Sequence, residues 1–163
     1  MDLTKGTLYF TDVSNRRVRA VDLTTGAITT VAGGGGAGPD ESGPATAAAL
    51  SSHPMRVAVH DRDLYISDAL HHRIQRVDAT GRIESVAGNG LESFSGDGGP
   101  ATAASLAEPH CVRFDGHGNW YIADSRNHRI RRVDGATGVI TTVAGNGEAT
   151  FSGDGGAAVE ASL

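Results

Sequence analysis

Apolar and polar residues fall along this chain in short runs broken by Gly, Asp and Asn. In the central third, Met55-Arg56-Val57-Ala58-Val59, Leu64-Tyr65-Ile66-Ser67, Arg73-Ile74-Gln75-Arg76-Val77 and Arg82-Ile83-Glu84-Ser85-Val86 are each rich in β-branched residues and bounded by turn formers. That pattern predicts four strands, a to d, joined by tight turns. No stretch sustains a helical period. The segment Pro100-Ala101-Thr102-Ala103-Ala104-Ser105-Leu106 suits one helical turn and no more.

The same pattern returns along the chain. Tyr9, Tyr65 and Tyr121 lie about 56 residues apart, as do Asp12, Asp68 and Asp124, and Arg17, Arg73 and Arg129. Val-Ala-Gly at Gly33, Gly88 and Gly145 keeps step, and so do the tails ending at Leu50, Leu106 and Leu163. Four strands in meander order, repeated, describe β-propeller blades. We place the copies at residues 1–54, 55–109 and 110–163, as one all-β half-propeller. The first copy opens on its b strand, Leu8-Tyr9-Phe10-Thr11, so eleven strands are expected and the first blade should lack its innermost one.

Composition narrows the class. The chain has 163 residues, 23 of them Gly, with 39% hydrophobic residues and a formal charge of −5. It is too apolar for a disordered chain, and its acidity speaks against nucleic acid as the partner. A lone Cys111 excludes an intrachain disulfide and a cysteine zinc cluster. No signal-peptide pattern and no membrane-length apolar run is found, so a membrane is not an expected partner.

Trp120-Tyr121-Ile122-Ala123-Asp124 followed by Asn127-His128-Arg129-Ile130 resembles the motif of NHL-repeat β-propellers. The Val-Ala-Gly-Asn-Gly and Phe-Ser-Gly-Asp-Gly-Gly segments resemble bacterial members with long repeats. The resemblance covers essentially the whole chain and implies a six-bladed ring. Three blades leave two open edges, and a two-fold homodimer closes the ring. The alternative is that the chain is a fragment of a larger propeller.

Meander topology places the d-to-a crossovers and the b-to-c turns on one face. His53, His71, His72, His110 and His128 therefore share that face, with His53 and His110 nearest the axis. Pro109-His110 resembles the Pro-His element of peptidyl-hydroxyglycine amidating lyases, in which the histidine holds a central zinc. The resemblance implies His110, with His53, as ligands of a divalent metal, zinc above all. Those enzymes draw ligands from alternate blades, whereas His53 and His110 belong to adjacent ones, so it speaks for an axial metal more than for lyase chemistry. With a metal present, Glu108 would act as base or support the ligand His110, and His72 and His128 would bind a small-molecule substrate or shuttle a proton, the alternative for both histidines being that they simply fill surface turns. The expected activity is ester or phosphoester hydrolysis, or a lyase reaction. The competing reading is a non-catalytic scaffold that recognises a protein or peptide on the same face.

Two further expectations concern the repeats themselves. The Asp12/Asp68/Asp124 and Arg17/Arg73/Arg129 sets recur in every copy and are expected to pair and staple turns or blades. The Ser-Gly-Asp-Gly-Gly loops at Ser95 and Ser152 read as tight crossovers needing positive φ, not as phosphate cradles.

Overall fold

The structure is a computed structural model that describes residues 2–4, 6–38 and 42–163. Regular structure in them consists of strands and single 3-10 turns. Strands β1 (Asp2–Thr4), β2 (Thr7–Asp12), β3 (Arg17–Asp22) and β4 (Ile28–Gly33) form the first sheet in meander order. A two-residue strand β5 (Gly43–Pro44) precedes β6 (Pro54–His60), β7 (Asp63–Asp68), β8 (Arg73–Val77) and β9 (Arg82–Ala87), with sheet order β5-β9-β8-β7-β6. The third sheet is β10 (Pro109–Phe114), β11 (Trp120–Asp124), β12 (Arg129–Val133) and β13 (Ile140–Ala144), again a meander. These are three antiparallel blades of a propeller.

Two elements depart from expectation. The first blade has its innermost strand: Asp2 pairs with Tyr9, Leu3 with Leu8 and Thr4 with Thr7. Three residues with one apolar side chain carry too little pattern to be read as a strand, but backbone pairing across a turn at Gly6 (φ 79°) suffices. The other is β5. The crossover leaving blade 1 adds itself to the outer edge of blade 2, pairing Gly43 with Ile83 and Pro44 with Arg82. The next crossover repeats this on blade 3 through a Pro100–Val139 bridge and the Ala101 N–H to Gly138 carbonyl bond of 2.9 Å. Each crossover thus covers the edge of the following blade and keeps it from pairing elsewhere.

Alternation along the strands builds the core. One face of blade 2 (Val57, Leu64, Ile66, Val77, Ile83) packs on Val18 and Ala32 of blade 1. Its other face (Ala58, Ile74, Ala87, with Tyr65) packs on Val112, Trp120, Ile122, Val133 and Ile140 of blade 3. Each fully buried aliphatic side chain contributes about 1.5–3 kcal/mol, so junctions between blades, not single sheets, stabilise the fold. The expected single helical turn appears as a 3-10 turn at Ala101–Ala103, with counterparts at Ala45–Ala47 and Ala158–Glu160.

Candidate functional site at the b-to-c turns

The b-to-c turns are built alike in all three blades. After Asp12, Asp68 and Asp124 the chain makes a 3-10 turn and closes with Arg16, His72 and His128 at φ 52°, 53° and 50°. Left-handed backbone is unusual for residues with a Cβ. A glycine of each Val-Ala-Gly explains why it is held. Built onto Gly88 or Gly145, a Cβ would fall well inside contact distance of the His72 or His128 carbonyl oxygen. The bare backbone of strand d is what lets the turn carbonyl approach.

The recurrent Arg residues lock the same region from beside it. Arg73 donates to the Asn89 carbonyl at 3.0 Å, and Arg129 to the Asn127 and Asn146 carbonyls at 2.9 and 2.6 Å. For Arg129 the acceptors are one turn carbonyl and one crossover carbonyl where the expected partner is Asp124. Each aspartate instead reaches the residue two further along strand c. Asp12 meets Arg19 at 3.5 Å, Asp68 meets Gln75 at 3.1 Å and Asp124 meets Arg131 at 3.2 Å. Asp68 and Asp124 also accept from the backbone N–H of Ser51 and Ala107, at 3.0 and 2.7 Å, tying the incoming crossover to the turn. The stapling role stands; the partner differs. Burial pushes the Asp124 carboxyl above the ordinary carboxylate range, opposed by the N–H of Ala107, the amide of Asn127 and the Arg131 guanidinium.

The predicted site residues sit within this framework. His72 Nδ1 accepts the backbone N–H of Glu108 at 3.2 Å, a link from blade 2 to the start of blade 3. Glu108 has φ 45°, and its carboxylate lies 3.3 Å from Arg126. His128 closes its turn with a backbone N–H to the Ser125 carbonyl at 3.1 Å, in the place Arg16 takes in blade 1. His71 Nδ1 lies 2.9 Å from Asp68, the contact that Asn15 and Asn127 make with Asp12 and Asp124. His53 is exposed, with Nδ1 3.1 Å from Ser52 Oγ. Pro54 pairs with Asp68 as Pro109 pairs with Asp124, so His53 corresponds to Glu108 and His110 to Met55. The two histidines occupy different positions in their blades. Among the described residues no three His, Cys, Asp or Glu side chains come together as a metal cluster. His53 and His110 thus gain no third donor among the described residues.

Other features were not foreseen. On the opposite face, a groove of about 370 Å³ between blades 2 and 3 is lined by Tyr65, Arg76, Val86, Trp120 and Thr137. Beside it the His60 ring stacks on Phe114 with centroids 4.1 Å apart. On the histidine face, Leu70 and Leu91 are 41% and 64% exposed. The sequence signal for both leucines lies in comparing copies: position 70 is Ser14 and Arg126 elsewhere, and position 91 is Glu148 in blade 3.

Known proteins share this architecture. A structural genomics protein of unknown function from Bacteroides thetaiotaomicron superposes with a TM-score of 0.77 at 24% identity, over 97% of this chain and 37% of that one. Virginiamycin B lyase from Staphylococcus aureus matches with a TM-score of 0.54 at 13% identity, over 86% of this chain and 39% of the lyase. Among curated relatives, the chloroplastic protein SUPPRESSOR OF QUENCHING 1 of Arabidopsis thaliana is 30% identical across 77% of this chain. Teneurin-3 of Mus musculus is 37% identical across 54% of it. The matched stretches are 12% and 4% of those relatives' own lengths. Among the described residues no helix is long and apolar enough to cross a membrane. The family model of the teneurin NHL domain matches residues 45–160, and with the recurrent turns and blades in place this chain belongs to that family.

Proposed function

We propose that the chain is a non-catalytic recognition module whose b-to-c face binds a peptide or protein segment through apolar anchors. The observation that carries this is the exposure of Leu70 and Leu91 at loop positions where the fold needs no leucine. Equivalent positions hold Ser14, Arg126 and Glu148 with the same backbone around them. Exposed apolar side chains that the fold does not require mark interaction sites. Beside them the His72 ring accepts the Glu108 backbone N–H, and the Glu108 carboxylate lies against Arg126. The family supports the same reading, since an NHL propeller is a frame that hosts many functions on its faces.

The test is selection from a displayed peptide library, repeated with Leu70→Ser/Leu91→Glu, which installs residues that other copies carry. Enrichment of apolar peptides that the double variant no longer binds, with unfolding unchanged, is the expected result. The reading fails if no peptide is enriched, or if the double variant binds equally well. It also fails if native mass spectrometry finds a stoichiometric divalent metal and His110→Ala abolishes both that metal and hydrolysis of phosphate or carboxylate esters.

A further inference from the structure

On the face opposite the leucines, the groove between blades 2 and 3 has an aromatic floor. Tyr65 and Trp120 line it, one from each blade, with ring centroids 6.0 Å apart. Phe114 backs them, 4.6 Å from Tyr65 in an edge-to-face contact. Crossover residues 100–102 and the c-to-d turn of blade 3 form the walls. At about 370 Å³ the space falls within the range of small-molecule sites.

The junction between blades 1 and 2 carries a groove in the same place, of about 310 Å³. It is lined by Tyr9, Val31, Val77 and Asp78, the counterparts of Tyr65, Val86, Val133 and Asp134. The blade repeat itself therefore makes the groove, and its particular chemistry resides in what differs. Leu64 stands where blade 3 has Trp120, and Val59 where it has Phe114. Ala20 stands where blade 2 has Arg76. The arginine of the earlier groove, Arg62, comes from an a-to-b turn instead.

The polar character of the groove between blades 2 and 3 is that of a donor. The acceptors of its c-to-d turn are taken. The Asp134 carboxylate accepts from the N–H of Ala136 and Thr137, the Thr137 hydroxyl and Arg132, at 3.0–3.1 Å. The carbonyls of Asp134 and Gly138 accept the N–H of Gly138 and Ala101, at 2.8 and 2.9 Å. Arg76 has N–H groups to spare. One terminal nitrogen meets Glu84, the other lies 3.5 Å from Asp63, and Nε has no partner. Burial pushes the Tyr65 hydroxyl above its ordinary range, opposed by Arg76, so it stays protonated and able to donate. Two carboxylates beside one guanidinium leave no net positive charge for an anion. An aromatic floor with donors at its rim and no spare cation selects an uncharged ring that carries an acceptor oxygen.

We propose that this groove binds an uncharged aromatic carbonyl compound, such as an aryl amide, with its ring on Tyr65 and Trp120 and its oxygen accepting from Arg76. The site is separate from the leucine face and independent of the recognition described for it.

Benzamide, benzoate and benzamidine share one shape and differ in charge, which makes them the probes. Trp120 is the sole tryptophan, so its indole N–H gives a single reporter signal by NMR. Benzamide is expected to shift that signal and the Thr137 and Gly138 amide signals saturably. It should bind at least about 5-fold more tightly than benzoate or benzamidine. Arg76→Ala, which installs the residue of blade 1, should weaken benzamide binding by about 5–10-fold. Trp120→Leu, the residue of blade 2, should weaken it too, as read at Thr137. Leu70→Ser/Leu91→Glu should bind benzamide like wild type. The proposal is overturned if benzamide shifts no groove signal, if either charged analogue binds as tightly, or if folded Arg76→Ala binds benzamide unchanged. The three-compound comparison on the wild-type protein decides the matter even where a variant does not fold.

Discussion

Replacement of Arg131 separates the two tasks of that side chain. Its guanidinium serves the buried Asp124 at 3.2 Å and, beyond it, Asp97, the Ser95 carbonyl and the Phe94 ring of the crossover that leaves blade 2. Arg131→Met removes every donor and leaves the Asp124 carboxylate buried without its cation, which costs about 3–5 kcal/mol. Arg131→Gln is milder for a reason visible one blade earlier, where Gln75 reaches the equivalent Asp68 at 3.1 Å. That variant keeps Asp124 served and loses the contacts to that crossover. A neutral carbonyl bond is worth about 1 kcal/mol, the stacking on Phe94 about 0.5–1 kcal/mol, and the pair with the partly exposed Asp97 about 1 kcal/mol at most. The expected loss is therefore about 2–3 kcal/mol for Arg131→Gln, and about 3–5 kcal/mol more than that for Arg131→Met. Urea unfolding of the three proteins at one fixed protein concentration measures both. Equal losses would refute the division of labour, and a loss below about 1 kcal/mol for Arg131→Met would refute the buried pair itself.

Three further outcomes follow from the turns. Gly145→Ala should cost more than about 2 kcal/mol in the same assay, because the new Cβ meets the His128 carbonyl and the residue is held at φ 91°. His128→Gly should stay within about 1 kcal/mol of wild type, since relief of left-handed strain offsets the added chain entropy; a large loss would mean that the imidazole itself is needed. Asp115, its carboxylate held by Asn119, the His117 N–H and Tyr121, titrates at about 2 rather than 3.8. A lowered carboxylate pKa stabilises the fold above its ordinary value, and that contribution is lost as pH falls through the lowered one. The melting temperature should therefore drop between about pH 4 and pH 2, and Asp115→Asn should flatten that slope. An unchanged slope would contradict the assignment.

The strands were legible where alternation and β-branching coincide. Strand β8 falls at Arg73–Val77 as read from sequence, and β7 and β9 extend by a residue or two. Strand β5 was hidden because Gly43-Pro44 carries no strand pattern; it forms only because the edge of β9 offers unpaired backbone groups. The structural part played by His72 is illegible in sequence for a related reason. A histidine in left-handed backbone looks in sequence like any exposed polar residue, and only the φ of 53° at His72 and the bond it accepts from Glu108 show a structural role. The Asp–Arg pairing failed on geometry. Asp124 and Arg129 are directly opposite in the ladder, but the Arg129 guanidinium reaches past to Asn146, while Arg131 lies diagonally and reaches back.

In a protein made of copies, a position that is alike in every copy is answerable to the fold, and a specific function must use positions where copies differ. Blade 2 differs most on the b-to-c face, with Leu70 for Ser14 and Arg126, His71 for Asn15 and Asn127, and Leu91 for Glu148. His71 can be subtracted, because its ring keeps the bond to Asp68 that the asparagines make in the other blades. The leucines cannot be subtracted, since the fold closes equally well around serine, arginine and glutamate. What is left after the fold has taken its share is apolar rather than nucleophilic or metal-binding, and that favours recognition over catalysis.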